Sequence, residues 1–214
     1  QNVEALVSNS GSITAVSANT ARAVSASGFA GATVVNSGSL YADGKYAYGV
    51  YASSGTGDVA VVNAATGVIE AYSYMGSAFG VLGIATLGDV MVGNAGSIEV
   101  YAYGQAAGVF ALAQAGDALV SNSGSITAIT GGDAAVGIFA RADYGTASVH
   151  NSGDIVASDA GVNGYIGDVA YGVIARGEYA DVSNAGSIVA DGFYYATGIA
   201  ARSYYGTTII ASAG

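Results

Sequence analysis

One nine-residue pattern, Val-x-Asn-x-Gly-x-Ile-x-Ala, runs through the whole chain. Its Asn falls at Asn9, Asn36, Asn63, Asn94, Asn122, Asn151 and Asn184, with spacings of 27, 27, 31, 28, 29 and 33 residues. The wording is close to literal. Asn9–Ala15 and Asn122–Ala128 both read NSGSITA, and Asn184–Ala190 reads NAGSIVA. Self-similarity at a period of 20–50 residues marks a stacked, repetitive architecture, because one repeat cannot bury its own apolar face alone.

Within each repeat the residue preference alternates with period two, the signature of a strand. Two residues before the Asn sit Val7, Val34, Val61, Val92, Val120, Val149 and Val182; the residues between them and the Asn vary freely. After the Gly come Ile13, Leu40, Ile69, Ile98, Ile126, Ile155 and Ile188. A second motif, Ala-x-Gly-[Val/Ile]-x-Ala, supplies Val50, Val81, Val109, Ile138, Val173 and Ile199, with a looser copy at Val24. The constant positions are predicted to point inward and the variable ones outward. Three short strands per repeat of about 29 residues, with no helical period between them, predict one all-β domain over residues 1–214. It is a right-handed parallel β-helix of about seven coils of 27–33 residues, uncapped at both ends. The chain has no Pro, as expected where an interior strand bonds to neighbours on both sides and Pro would delete a ladder hydrogen bond.

The recurring Asn is predicted to sit inward at a corner and to form an amide ladder along the stack. The Gly two residues later is predicted to permit an unusual backbone angle. In the third repeat, Asn63 and Gly67 are separated by two extra residues, which predicts a bulge. An eighth copy of the motif begins near the end, with Ser212 in place of Asn.

These motifs, N-[SA]-G-x-I-x-A alternating with G-[VI]-x-A, resemble the passenger segments of bacterial autotransporters and related haemagglutinin-like adhesins. The resemblance covers the whole chain. It implies export, a place at or beyond the cell surface, and a role in adhesion or aggregation. A membrane-inserting β-barrel of the autotransporter kind is not among these residues.

Charge narrows the partners. The chain carries five Lys and Arg against fifteen Asp and Glu, a net charge of −10. Nucleic acid is therefore not an expected partner, since phosphate binding needs clustered basic residues. Only 9% of residues are charged and 52% are hydrophobic, which excludes a disordered tail. No apolar run is long enough for a membrane helix, and no signal peptide is visible.

Catalytic chemistry finds little to use. His150 is the sole histidine and there is no cysteine, so neither a histidine-based triad nor a zinc site is expected. Asp58, Asp89 and Asp117, each following a Gly, share one slot in three consecutive repeats. They read either as turn residues or as oxygen ligands for calcium. Arg141, Arg176 and Arg202 share another slot, with Asp143 and Glu178 two residues beyond the first two. They read as compensated surface charge or as contacts to an acidic partner.

The outward slot of the third strand holds Tyr51, Leu82, Phe110, Phe139 and Ile174, predicted to form an exposed hydrophobic stripe. Such stripes mark interaction sites. Eight of the sixteen Tyr lie in the loop before that strand: Tyr46, Tyr72, Tyr74, Tyr101, Tyr103, Tyr165, Tyr194 and Tyr195. The expected function is a non-enzymatic extracellular or cell-surface protein without a cofactor, either an adhesin or a fibre subunit whose copies stack head to tail. The alternatives are an adhesin passenger that binds host protein or glycan, and a glycan-active enzyme or phage tailspike.

Overall fold

The computed structural model describes residues 3–160 and 169–213. It is an all-β parallel solenoid with three faces per coil. The first face is an eight-stranded parallel sheet: Glu4–Asn9, Gly31–Asn36, Val59–Asn63, Val90–Asn94, Ala118–Asn122, Thr146–Asn151, Tyr179–Asn184 and Thr208–Ser212. The second face holds Val68–Ser73, Ser97–Ala102, Ser125–Thr130, Asp154–Asp159 and Ser187–Asp191. The third holds Ala78–Ala85, Ala106–Ala113, Ala134–Ala142, Val169–Gly177 and Tyr195–Ser203. In the first two coils, the long strands Ser12–Gly28 and Ser39–Ser54 run through both the second and third faces.

The pairing register superposes each motif on the next. Asn36 pairs with Asn63, Ile98 with Ile126, and Val109 with Ile138. Each constant slot therefore becomes a ladder along the rod. Val34, Val61, Val149 and Val182 from the first face, Leu40 to Ile155 from the second, and Val50 to Val173 from the third are all buried together with rows of Ala. Val7, Ile13, Ile188 and Ile199, in the outermost coils, are only partly buried against this core.

The Asn ladder is continuous. Each side-chain Nδ2 donates to Oδ1 of the Asn one coil on, from Asn9 to Asn36 and successively through Asn63, Asn94, Asn122 and Asn151 to Asn184, at 2.7–2.8 Å. The same Nδ2 reaches the carbonyl of the corner Gly, as in Asn36 to Gly38 O at 3.1 Å. A buried amide has its bonds satisfied within one repeating corner, which offsets its desolvation.

Two expectations about this corner are corrected. The glycines that follow the Asn have no φ in the left-handed region. Space is what requires them: a Cβ on Gly38 would lie 2.8 Å from the backbone nitrogen of Gly11, in the coil below. The extra residues after Asn63 form no bulge in the ladder. They project as a turn closed by Gly67 N–H donating to Ala64 O at 2.8 Å, while Asn63 keeps its register with Asn94.

Candidate functional site

The Ala-x-Gly-Val motif does more than continue a strand. Ala47 is inward and Tyr48 outward, but Gly49 and Val50 are both buried. Alternation therefore slips by one residue, and the wall bends at the Gly. A Cβ there would collide with Ile69 Cγ2 on the opposite face, and the same collision recurs at Gly80 with Ile98, Gly108 with Ile126, Gly137 with Ile155 and Gly172 with Ile188. The cross-section is pinched along this glycine row. Outside the pinch, the side chains before and after the Gly converge.

That convergence changes the expected stripe. Tyr51, Leu82, Phe110 and Phe139 point outward but are only partly exposed, and Ile174 is 4% exposed. They are covered by a second outward row that sequence alternation did not reveal: Tyr48, Phe79, Ala107, Val136 and Tyr171. Tyr48 meets Tyr51 edge-on at 6.1 Å and stacks on Phe79 at 5.5 Å; Phe79 meets Phe110 edge-on at 5.8 Å, and Phe110 stacks on Phe139 at 4.5 Å. Ala107, Val136 and Ile174 form a small buried cluster with Phe139, Tyr171 and Ala200 packed against it. The result is a packed double row of apolar side chains along the third face, rather than an exposed stripe. The signal that could have found it was the Gly-Val pair, which cannot alternate if both residues face inward.

Arginines flank this double row. Arg22 lies over the rings of Tyr48 and Tyr51, at 5.3 and 4.6 Å. Arg141, Arg176 and Arg202 are register partners in successive coils. Arg141 Nε pairs with Asp143 Oδ1 at 2.6 Å, the one ion pair among the described residues. Arg176 instead faces the Phe139 ring at 5.6 Å, and Arg202 the Tyr204 ring at 5.7 Å. The expected pairing of Arg176 with Glu178 does not form.

The Asp row meets the backbone of the next coil. Asp58 Oδ1 accepts from the backbone N–H of Asp89, Asp89 Oδ1 from that of Asp117, and Asp117 Oδ1 from that of Thr146, at 2.9, 2.8 and 2.7 Å. The carboxylates thus face backbone donors of the next coil, which eases the repulsion between them. Among the described residues, no three His, Cys, Asp or Glu side chains are grouped to hold a metal ion. His150 is exposed, with Nδ1 3.3 Å from Ser148 Oγ.

The second face carries the tyrosines of highest order. Tyr72 stacks on Tyr101 at a centroid separation of 5.1 Å and meets Tyr41 at a tilt at 5.5 Å, beside Glu70 and Glu99, which are themselves register partners. Burial first, then the nearby Glu70 carboxylate, pushes the Tyr72 phenol up from 10.0 to about 12. Burial likewise raises Tyr41, helped by Asp43. A phenol that holds its proton more tightly when folded contributes stability that is fully present below pH 10 and is lost as pH rises through about 12. Ultraviolet titration of the phenolates should therefore show a late-ionising class that Tyr72→Phe diminishes; Tyr72→Phe should also flatten the fall in stability between those values. An unchanged titration curve would contradict this placement.

Tyr46, Tyr74, Tyr103, Tyr194 and Tyr195 are exposed. Tyr74 Oη donates to Ala18 O at 2.8 Å, two coils away. Tyr165 lies outside the described residues. Among the described residues, no helix is long and apolar enough to cross a membrane. No known family, curated protein or solved structure matches this chain.

Proposed function

We propose that this chain is a non-enzymatic structural protein of the cell surface or extracellular space, acting as an adhesin or as the subunit of a fibre built head to tail. The observation that carries this reading is the register that superposes each motif on the next, with one shift between Ser17 and Thr20 in the first coil. The core slots recur in successive coils, and the Asn ladder runs from Asn9 to Asn184, with Ser212 in its next position. A coil added at either edge, from the same chain or from another copy, would therefore meet a backbone ladder that already matches its own. Parallel edges of this kind pair readily with further strands, and a head-to-tail contact that does not close propagates as a filament.

The flanks fit the same reading. The third face presents a partly exposed apolar double row; Tyr74, Tyr103 and Tyr194 stand exposed in the turns before it, while Tyr46, Tyr72, Tyr101 and Tyr195, expected in that loop, lie in strands. Tyr gives large contact area at low entropic cost. The exposed Tyr74, Tyr103, Tyr194 and Tyr195 favour a second reading, a passenger adhesin that holds host protein or glycan through its loops.

Size-exclusion chromatography with light scattering on the purified chain separates these readings. The fibre predicts species that grow in mass with concentration and incubation. A monodisperse monomer at all concentrations would remove the fibre and leave the adhesin. Cleavage of any polysaccharide by the purified chain would overturn both.

A further inference from the structure

Charge on this rod is sorted by face. The described third-face segments carry Arg22, Arg141, Arg176 and Arg202 and no acidic residue; Asp143, paired with Arg141, and Glu178 follow just beyond them, and Lys45 lies between the two faces. Those of the second face carry Asp43, Glu70, Glu99, Asp154, Asp159 and Asp191 and no basic residue. Four of the five basic residues of a chain with net charge −10 are thus gathered on one side. Random placement on a surface so poor in charge would mix the signs. Sorted charge of this kind disfavours contact between like faces and favours contact between unlike ones.

We propose that copies of this chain associate side by side, the arginine-bearing third face of one rod against the acidic, tyrosine-rich second face of the next. The proposal rests on the structural-protein reading and names the partner of its flanks. Charge complementarity carries it. Arg141, Arg176 and Arg202 repeat once per coil, and Glu70 and Glu99 repeat once per coil on the other face. Both rows are ladders of the same solenoid, so their axial period is the same, about 4.8 Å. When two rods align, one matched pair brings the neighbouring pairs into step.

The uncharged neighbours match as well. Beside the Arg row lie the partly exposed Phe110 and Phe139; beside the Glu row lie Tyr41, Tyr72 and Tyr101. Arg176 already rests on an aromatic ring of its own chain. A tyrosine from the facing rod can take the guanidinium's other side while a glutamate meets its edge, since guanidinium groups stack on rings and pair with carboxylates together. Because the two faces differ, each rod keeps one of each free. The contact is heterologous and repeats into sheets or bundles.

Sedimentation velocity on the purified chain tests this, using Arg176→Glu with Arg202→Glu, and Glu70→Arg with Glu99→Arg. Wild type should associate at low salt and dissociate near about 1 M NaCl, where charges are screened within a few ångströms. Each reversed variant alone should lose more than about tenfold in association constant, since like charges then face each other. An equimolar mixture of the two should recover it, with circular dichroism of each variant unchanged. Recovery cannot arise from misfolding, so it isolates the contact. Thin, single-rod filaments with no salt-sensitive bundling would overturn the lateral contact and leave the head-to-tail reading standing. Failure of the mixture to recover association overturns the face pairing. A chain that stays dispersed yet binds polygalacturonate through Arg176 and Arg202 would overturn it in favour of an acidic glycan.

Discussion

Gly108→Val is expected to cost about 3 kcal/mol or more, the upper end for overpacking. The reason is local. Gly108 is the middle of the glycine row at which the third face bends toward the second. A Cβ there would press into Ile126 Cγ2 and stand 2.7 Å from the carbonyl oxygen of Gly137 in the next coil. Ile126 is 1% exposed and packed on both sides by Ile98 and Ile155, so it has nowhere to retreat. Moving the backbone instead would break the hydrogen bonds that tie this coil to its neighbours. Gly93→Ala is the matched control. Gly93 also lies in a strand, but no atom stands within 4 Å of the position its Cβ would take. Chemical denaturation should show a large loss of midpoint for Gly108→Val and almost none for Gly93→Ala. Equal effects would mean that glycine is used here for flexibility rather than for space.

Asn94→Leu should be nearly as damaging, at about 3 kcal/mol. The side chain is 2% exposed and stands mid-ladder. It accepts from Asn63 and donates to Asn122, both at 2.8 Å. Leucine removes both bonds, so Asn63 loses an acceptor and Asn122 a donor inside the core. A buried polar group left unpaired costs about 1–3 kcal/mol, more than the bond itself contributes. Asn184 gives the comparison. It is only half-buried and accepts from Asn151, while its own Nδ2 donates to Gly186 O at 3.0 Å. Asn184→Ala should therefore cost clearly less than Asn94→Leu. If the two lose the same, the ladder is not a cooperative core element.

Much of this architecture was legible because the repeat prints the same slot several times. A Val two residues before each Asn is indistinguishable from chance in one copy, but seven copies in one phase specify a buried row. The inward Val, Ile and Asn positions followed from that, and so did parallel stacking. The packed double row was less legible. Period-two reading assumes a straight strand, and Gly49-Val50 is a place where the strand turns and two successive residues face inward. The outward rows containing Tyr48 and Tyr51 therefore looked unrelated in sequence yet touch in space. The corner glycines posed a different problem. Sequence says that only glycine is used, but backbone conformation and lack of room leave the same mark. The Asp row was open for a similar reason. Gly-Asp fits a turn as well as a ligand set, and only the coil above shows which backbone N–H groups the carboxylates face. The sorting of charge between faces could have been read from sequence once the strands were assigned, since no third-face segment holds an acid.

The central claim is that constant residues build a rod of uniform pitch and that the rod's edges and flanks carry its function. Cryo-electron microscopy of assemblies of the purified chain tests this most directly. The account predicts filaments one rod thick, or sheets of such rods, with an axial rise per copy of about 38 Å, eight steps of about 4.8 Å, one for each strand of the first face. The density should pass from copy to copy without a break in the coil spacing. Globular particles, or filaments whose strands do not stack along the fibre axis at the coil spacing, would contradict it.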